Sequence, residues 1–269
     1  MRFLVKRVVA ERANVLQNEY AAGIVPPTAV LGLFASIGPS LGLERWGAEV
    51  VMIVHDVTPS KGRTKPAPLP SGGRFAPVEI PEDHVARVTM SFLVRWDGLD
   101  DEDDLADALL GRRLAGSPIV GDAVDVSTVP SDGTAFAFVP RGYVLAPTEE
   151  RTPTASGDVD DLSAVADAVF PVVRPGPGEP RPVPVAIGYR LLEDPRTVPS
   201  RLNTRDADVP HVFAEPVVGV GTLRSVRSRH LSGLDAKGVD ALAWRWDARG
   251  AHVVTHPIYH PNPMEGTTA

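Results

Sequence analysis

The chain has no cysteine. That absence excludes disulfides, thiolate zinc centres and cysteine nucleophiles. It also lacks any apolar run near the roughly 18–20 residues of a membrane span, because Gly and Pro interrupt its longest apolar stretches. The opening MRFLVKRVVAER alternates charged and apolar residues and has no continuous apolar core of a secretion signal, so a cytoplasmic protein without a membrane partner is expected. An excess of positive charge is missing as well: the net charge is −7, which argues against a generic polyanion binder. Catalytic signatures are equally scarce. No G-x-S-x-G elbow, H-E-x-x-H, P-loop or G-x-G-x-x-G occurs, and no internal repeat is found.

What the chain does contain is organised around Ala13 to Leu43, ANVLQNEYAAGIVPPTAVLGLFASIGPSLGL. A polar loop with Asn14, Gln17, Asn18 and Gly23 breaks at Pro26-Pro27 and opens into an apolar helix, with Thr28 as its N-cap and Gly38-Pro39 as its end. Val30, Leu33, Phe34, Ile37 and Leu41 share one helical face, and Ala29, Gly32 and Ser36 form a second stripe of small residues that another backbone could approach.

Strands are expected at 3–10, 48–57 and 85–96. The second is nearly continuous in its apolar residues and therefore central; the third alternates cleanly. The connection from Thr58 to Glu82 is long and Pro-rich, and carries Lys61, Arg63, Lys65 and Arg74 with no acid before Glu79. Loops of that length are usually functional or disordered. Charge is uneven: the first 65 residues are net positive, whereas Asp97 to Asp107 is strongly acidic. The run Asp100 to Asp104 reads as a helix start, where carboxylates suit the positive end of the macrodipole; as a metal site it fails because consecutive helical residues point in different directions.

A fourth strand at 134–146, kinked at Pro140, completes the order β, α, β, β, α, β. With right-handed crossovers that order predicts an α+β fold with a ferredoxin-like (βαββαβ, RRM-like) core over residues 1–146 and a long inserted loop. Residues 147–269 are expected to be a Pro-rich linker and an irregular C-terminal extension that completes the core and contacts partner subunits. Within it lie a short helix at 161–170, a stiff spacer at 171–184 with six prolines, a β-like segment at 209–220, a short helix at 239–246 and a last strand at 252–259. A basic patch, Arg224, Arg227, Arg229 and His230, follows the β-like segment. His252, His256 and His260 are spaced by four, but their surroundings favour a strand, in which positions four apart lie about 13 Å from each other and cannot share one ion.

ANVLQNEYAAGIVPPTAVLGLFASI resembles the N-terminal signature of the Csy-two subunit family, the Cas-five-group (RAMP superfamily) backbone protein of the type I-F CRISPR surveillance complex, or Cascade. Ala13, Asn14, Gly23, Pro27 and Gly32 fit that signature. Further features follow in the family's order: His55, then Arg63-Thr64-Lys65, then RLAGSPI from Arg113, PRGYVL from Pro140 and FAEPVVGVG from Phe213. The resemblance implies a non-catalytic subunit of an antiviral ribonucleoprotein that needs no cofactor. Its implied partners are the 5′ repeat-derived handle of CRISPR RNA, the large subunit, the helical backbone subunit and, through the complex, target DNA. Base-reading groups would be Asn14, Gln17 and Asn18; phosphate contacts would be Arg63, Lys65, Arg74, Arg224, Arg227 and Arg229. His55 is expected to be a satisfied core residue. The alternatives are an endoribonuclease of the same superfamily that cuts precursor RNA through His55 or Tyr20 with a nearby Lys or Arg, and a metal hydrolase using His252, His256 and His260.

Overall fold

The computed structural model describes residues 1–18, 21–62, 70–71, 74–75, 84–148, 159–171, 175–176, 179–198, 201 and 209–255. Its strands are β1 (Arg2–Asn14), β2 (Glu49–Pro59), β3 (Val85–Arg95), β4 (Asp125–Val129), β5 (Tyr143–Pro147), β6 (Arg181–Leu191), β7 (Ala214–Ser225), β8 (Asp247–Arg249) and β9 (His252–Val254). The helices are α1 (Pro27–Ile37), α2 (Glu102–Leu109), α3 (Val159–Val169), α4 (Arg229–Ser232) and α5 (Ala236–Asp240). All nine strands form one sheet in the order β8-β9-β6-β7-β5-β2-β3-β1-β4. Every neighbouring pair is antiparallel.

This corrects the expected ferredoxin-like βαββαβ core. The segment expected as the fourth strand divides: Asp132 caps a 3-10 helix over Gly133–Ala137 by accepting from the Thr134 N–H, and only 143–147 is extended. That strand lies beside β2 and hands the sheet on to β7, so residues beyond 147 extend the same sheet.

The central strands are apolar on both sides because both sides are covered. On one face Val50, Met52, Met90 and Phe92 pack with α1, where Phe34 meets Phe92 edge-on at 5.7 Å between ring centroids. On the other, Leu4, Val51, Ile53 and Leu93 pack under Phe136, Leu231 and Val239. Full burial of such a side chain contributes about 1.5–3 kcal/mol. Continuous apolarity in β2 thus marked a central strand, as read from the sequence. The C-terminal segment locks back onto it: Trp244 exchanges two backbone hydrogen bonds with Val50, and its indole N–H donates to the Leu145 carbonyl at 2.8 Å.

Helix α1 buries Val30, Leu33, Phe34 and Ile37 as their spacing required. It begins two residues earlier than expected: Pro27 opens it after Pro26 at the N-cap, and Thr28 is buried within the first turn rather than capping it. Proline suits that position because its missing N–H would have no helical partner. The acidic run does open α2, with the Asp101 carboxylate accepting from the Asp103 N–H at 2.8 Å. From the same helix, Glu102 accepts from the backbone and hydroxyl of Thr128, which blunts the outer edge of β4.

Part of the expected Pro-rich spacer is strand. Pro182 and Pro184 stand in β6, where β7 pairs on one side and β9 reaches only residues 188–190 on the other. Proline is tolerated at such an open edge because no ladder donor is needed there. Further along, β6 bulges between Ala186 and Gly188. A Cβ at Gly188 would stand 2.3 Å from the Val253 carbonyl oxygen, so the close approach of β9 requires glycine. Among the described residues no helix is long and apolar enough to cross a membrane.

Candidate nucleic-acid interface

The polar loop after β1 is a folded unit. Leu16 and Ala22 form a β-bridge, and Gly23 donates to the Val15 carbonyl at 2.9 Å. Exposed Asn14 accepts from the Leu16 N–H at 2.9 Å, and the Asn18 side chain accepts from the Ala21 N–H at 2.8 Å. Both side-chain carbonyls shape the turn. Tyr20 lies outside the described residues.

Gln17, expected among the base-reading groups, sits elsewhere. Its side chain is 2% exposed; its amide nitrogen donates to the Val15 and Ile24 carbonyls, and its carbonyl accepts from the Ala186 N–H at 2.6 Å. Ala186 is at the β6 bulge, where the ladder is interrupted. Gln17 therefore latches the loop to β6 and satisfies the donor that the bulge leaves over.

Of the expected cations, Arg63 and Lys65 lie outside the described residues. Arg74 belongs to a two-residue ribbon, paired through its backbone with Ser71. The remaining three cluster at the end of β7 and just beyond it, but in different settings. Arg224 lines a cleft of roughly 1180 Å³ bounded by the β5–β7 face of the sheet, the end of α3 and the α4–α5 segment. His230 lines the same cleft. Arg229 is exposed at the start of α4. Arg227 is exposed, yet its guanidinium donates to the Phe136 and Val139 carbonyls at 2.9 and 2.8 Å and so holds the 3-10 segment in place.

The cleft's remaining polar lining, Thr148, Thr222 and Glu179, was not anticipated from the sequence. The two threonine hydroxyls are 2.8 Å apart, and Glu179 accepts from the Gly176 N–H at 2.7 Å. A readable signal existed, since Val220, Thr222 and Arg224 alternate along β7 and so share one face. A guanidinium, an imidazole and two hydroxyls, with one carboxylate at Glu179 and apolar and proline walls, can hold a phosphate near Arg224 and a sugar along the hydroxyls.

His55 is half-buried at a bulge of β2. Its Nδ1 lies 2.8 Å from the Arg141 carbonyl oxygen, which can only accept, so Nδ1 carries the proton. Nε2 then accepts from the Ser91 hydroxyl at 2.7 Å. Burial, with a smaller contribution from the nearby Arg7 charge, holds the imidazole below its ordinary pKa, against the opposing hydrogen bond to Arg141. The expectation that His55 is internally satisfied agrees with this geometry. His252 is buried in β9, His256 and His260 lie outside the described residues, and among the described residues no three His, Asp or Glu side chains are grouped to hold a metal.

Residues 177–254 match the family model of the CRISPR-associated protein Cas_Csy2. Over that segment the chain is similar to the Csy2 family of CRISPR-associated proteins. The matched span runs from the approach to β6 through β9 and contains Arg224 and His230. The Csy2 resemblance in the first 145 residues thus joins an independent match in the C-terminal half. No curated protein sequence matches the chain.

Proposed function

We propose that this chain is a Csy2-type, non-catalytic scaffold subunit of a type I-F-like CRISPR effector complex. It grips the 5′ repeat-derived handle of CRISPR RNA and pairs with the large subunit and the helical backbone subunit. The observation that carries this reading is the cleft lined by Arg224, His230 and two threonine hydroxyls, of which Arg224, His230 and Thr222 lie inside the segment matched by the family model. Arg229, exposed at the start of α4 beside His230 in sequence, extends the positive track. Asn14 and Asn18 at the polar loop, and Arg63, Lys65 and Arg74 in the Pro-rich connection, are the further proposed contacts. Such a track suits an acidic body, because single-stranded RNA is held by local cations and stacking rather than by a broad basic face.

The endoribonuclease alternative would need His55 as its acid or base. Engagement of both ring nitrogens with Arg141 and Ser91 supports the non-catalytic reading.

Affinity capture from cells carrying the native locus, with sequencing of bound RNA and mass spectrometry of bound proteins, tests the proposal. Short RNAs with one uniform 5′ repeat-derived end, a large subunit and a repeated backbone protein are the expected result. Protein recovered without RNA would overturn it. Cleavage of repeat RNA by the purified chain, lost in His55→Ala, would replace it with the endoribonuclease.

A further inference from the structure

A second cavity, about 720 Å³, lies between α1 and the β6–β9 end of the sheet. Three aromatic side chains line it: Trp46, Trp246 and Tyr189. Trp46 is 51% exposed and Tyr189 41%, although Trp96 and Trp244, the chain's other tryptophans, are buried. The two cavity indoles meet edge-to-face at 6.0 Å, and the Arg45 guanidinium stands 5.1 Å over the Trp46 ring. Gly32 of α1 opens the cavity further, since a Cβ there would meet nothing within 4 Å. Thr28 and Asp247 supply the polar part of the lining.

Large aromatics gathered around one opening, with a cation at its mouth, define the occupant by its shape. It has flat apolar faces to lie on indole and phenol rings, a polar edge for the Thr28 hydroxyl and the Asp247 carboxylate, and a negative charge within reach of Arg45. The cavity volume falls within the range of small-molecule pockets. A nucleotide has all three features. An aliphatic side chain from a partner protein would use the walls and leave the polar edge and the cation unmatched. We propose that this aromatic cleft stacks one unpaired nucleobase of single-stranded RNA, with Arg45 at the adjoining phosphate. The proposal rests on the RNA-binding reading above and adds to it a site that shares no lining residue with the basic cleft.

Two oligoribonucleotides of about ten residues, one with bases and one abasic, separate the proposal from that reading. Anisotropy of a labelled strand reports binding by the full chain, and tryptophan emission with unlabelled strands reports stacking. The base-bearing strand should quench the emission and bind about tenfold tighter than the abasic one. Trp46→Ala should remove most of that difference. Gly32→Leu should do the same while keeping both indoles, by filling the cavity from α1. Each variant should retain the parent's circular dichroism and unfolding temperature, since Trp46 is half-exposed and Gly32 faces open space. Binding without quenching, or unchanged affinity in both variants, overturns the cleft proposal and leaves RNA binding in place. No binding of either strand removes the RNA-binding reading itself. Loss of a copurifying subunit from Trp46→Ala, with RNA affinity intact, would assign the cleft to a protein side chain instead.

Discussion

The Ser91 hydroxyl lies 2.7 Å from Nε2 of His55 and also accepts the Arg7 backbone N–H at 2.9 Å. Ser91 stands on β3 between two bulged neighbours: β1 places Lys6 and Arg7 opposite it, with Arg7 at φ 49°, and β2 inserts His55 one step along. One fully buried hydroxyl thus ties both irregular strands to the straight strand between them. Bulges bend and twist a strand, so fastening two at one level fixes where the sheet curves.

This arrangement predicts a pH dependence. The folded state holds the His55 pKa below the ordinary imidazole value, so the unfolded chain binds more protons as pH falls through that range. Stability from His55 is present when the group is neutral in both states. It is lost as pH falls from the unfolded pKa toward the folded one. Thermal unfolding of the parent between about pH 7 and about pH 5 should show a steeper decline than that of His55→Gln. Parallel curves would mean that His55 titrates alike in both states.

A second prediction concerns Arg2, which is 1% exposed at the start of β1 and is ion-paired with Asp240 at the end of α5. Asp240 also pairs with Arg95, Arg95 with Glu49, and Glu49 with Arg245, so the network joins β1, β2, β3 and the C-terminal segment. Burial pushes the Arg2 guanidinium below its usual pKa, and Asp240 opposes that shift. Asp240→Ala leaves a buried cation without its main counter-charge and should cost about 3 kcal/mol in denaturant unfolding. Replacing both partners, Arg2→Met with Asp240→Leu, should recover most of that loss, because the desolvation of both charges is removed together.

Gln17 shows where reading the sequence stops. Residue type marked it as polar and suited to a base, whereas its partner Ala186 is 169 positions away and becomes a neighbour only when the loop meets β6. The periodic elements carried their own evidence: Val88, Met90, Phe92 and Val94 in β3 and Val30, Phe34 and Ile37 in α1 bury the faces that their spacing indicated. The neighbours of each strand did not, since β5 beside β2 and Pro182 inside β6 depend on pairings distant in sequence. Gln17→Leu should lower stability by about 1–3 kcal/mol, the cost of an unmet buried N–H at Ala186 and unmatched carbonyls. RNA affinity at a temperature where the variant stays folded should be unchanged. A selective affinity loss would return Gln17 to the RNA-reading set.

The cations at and beyond the end of β7 divide by the same logic. The proposed contacts Arg224 and Arg229 release counterions when phosphates are neutralised, by about 0.7 in the log–log salt slope per contact with a single strand. Arg224→Ala with Arg229→Ala should therefore flatten the slope by about 1.4 and weaken binding at low salt for every sequence alike. Arg63→Ala with Lys65→Ala should act in the same direction if the Pro-rich connection joins the track, and an unchanged slope would remove that connection from it. Arg227→Ala should behave differently. Its guanidinium serves the Phe136 and Val139 carbonyls, so the variant should unfold at a lower temperature while its salt slope stays that of the parent. A slope that falls with Arg227→Ala at unchanged stability would show that the guanidinium leaves those carbonyls for a phosphate when RNA arrives.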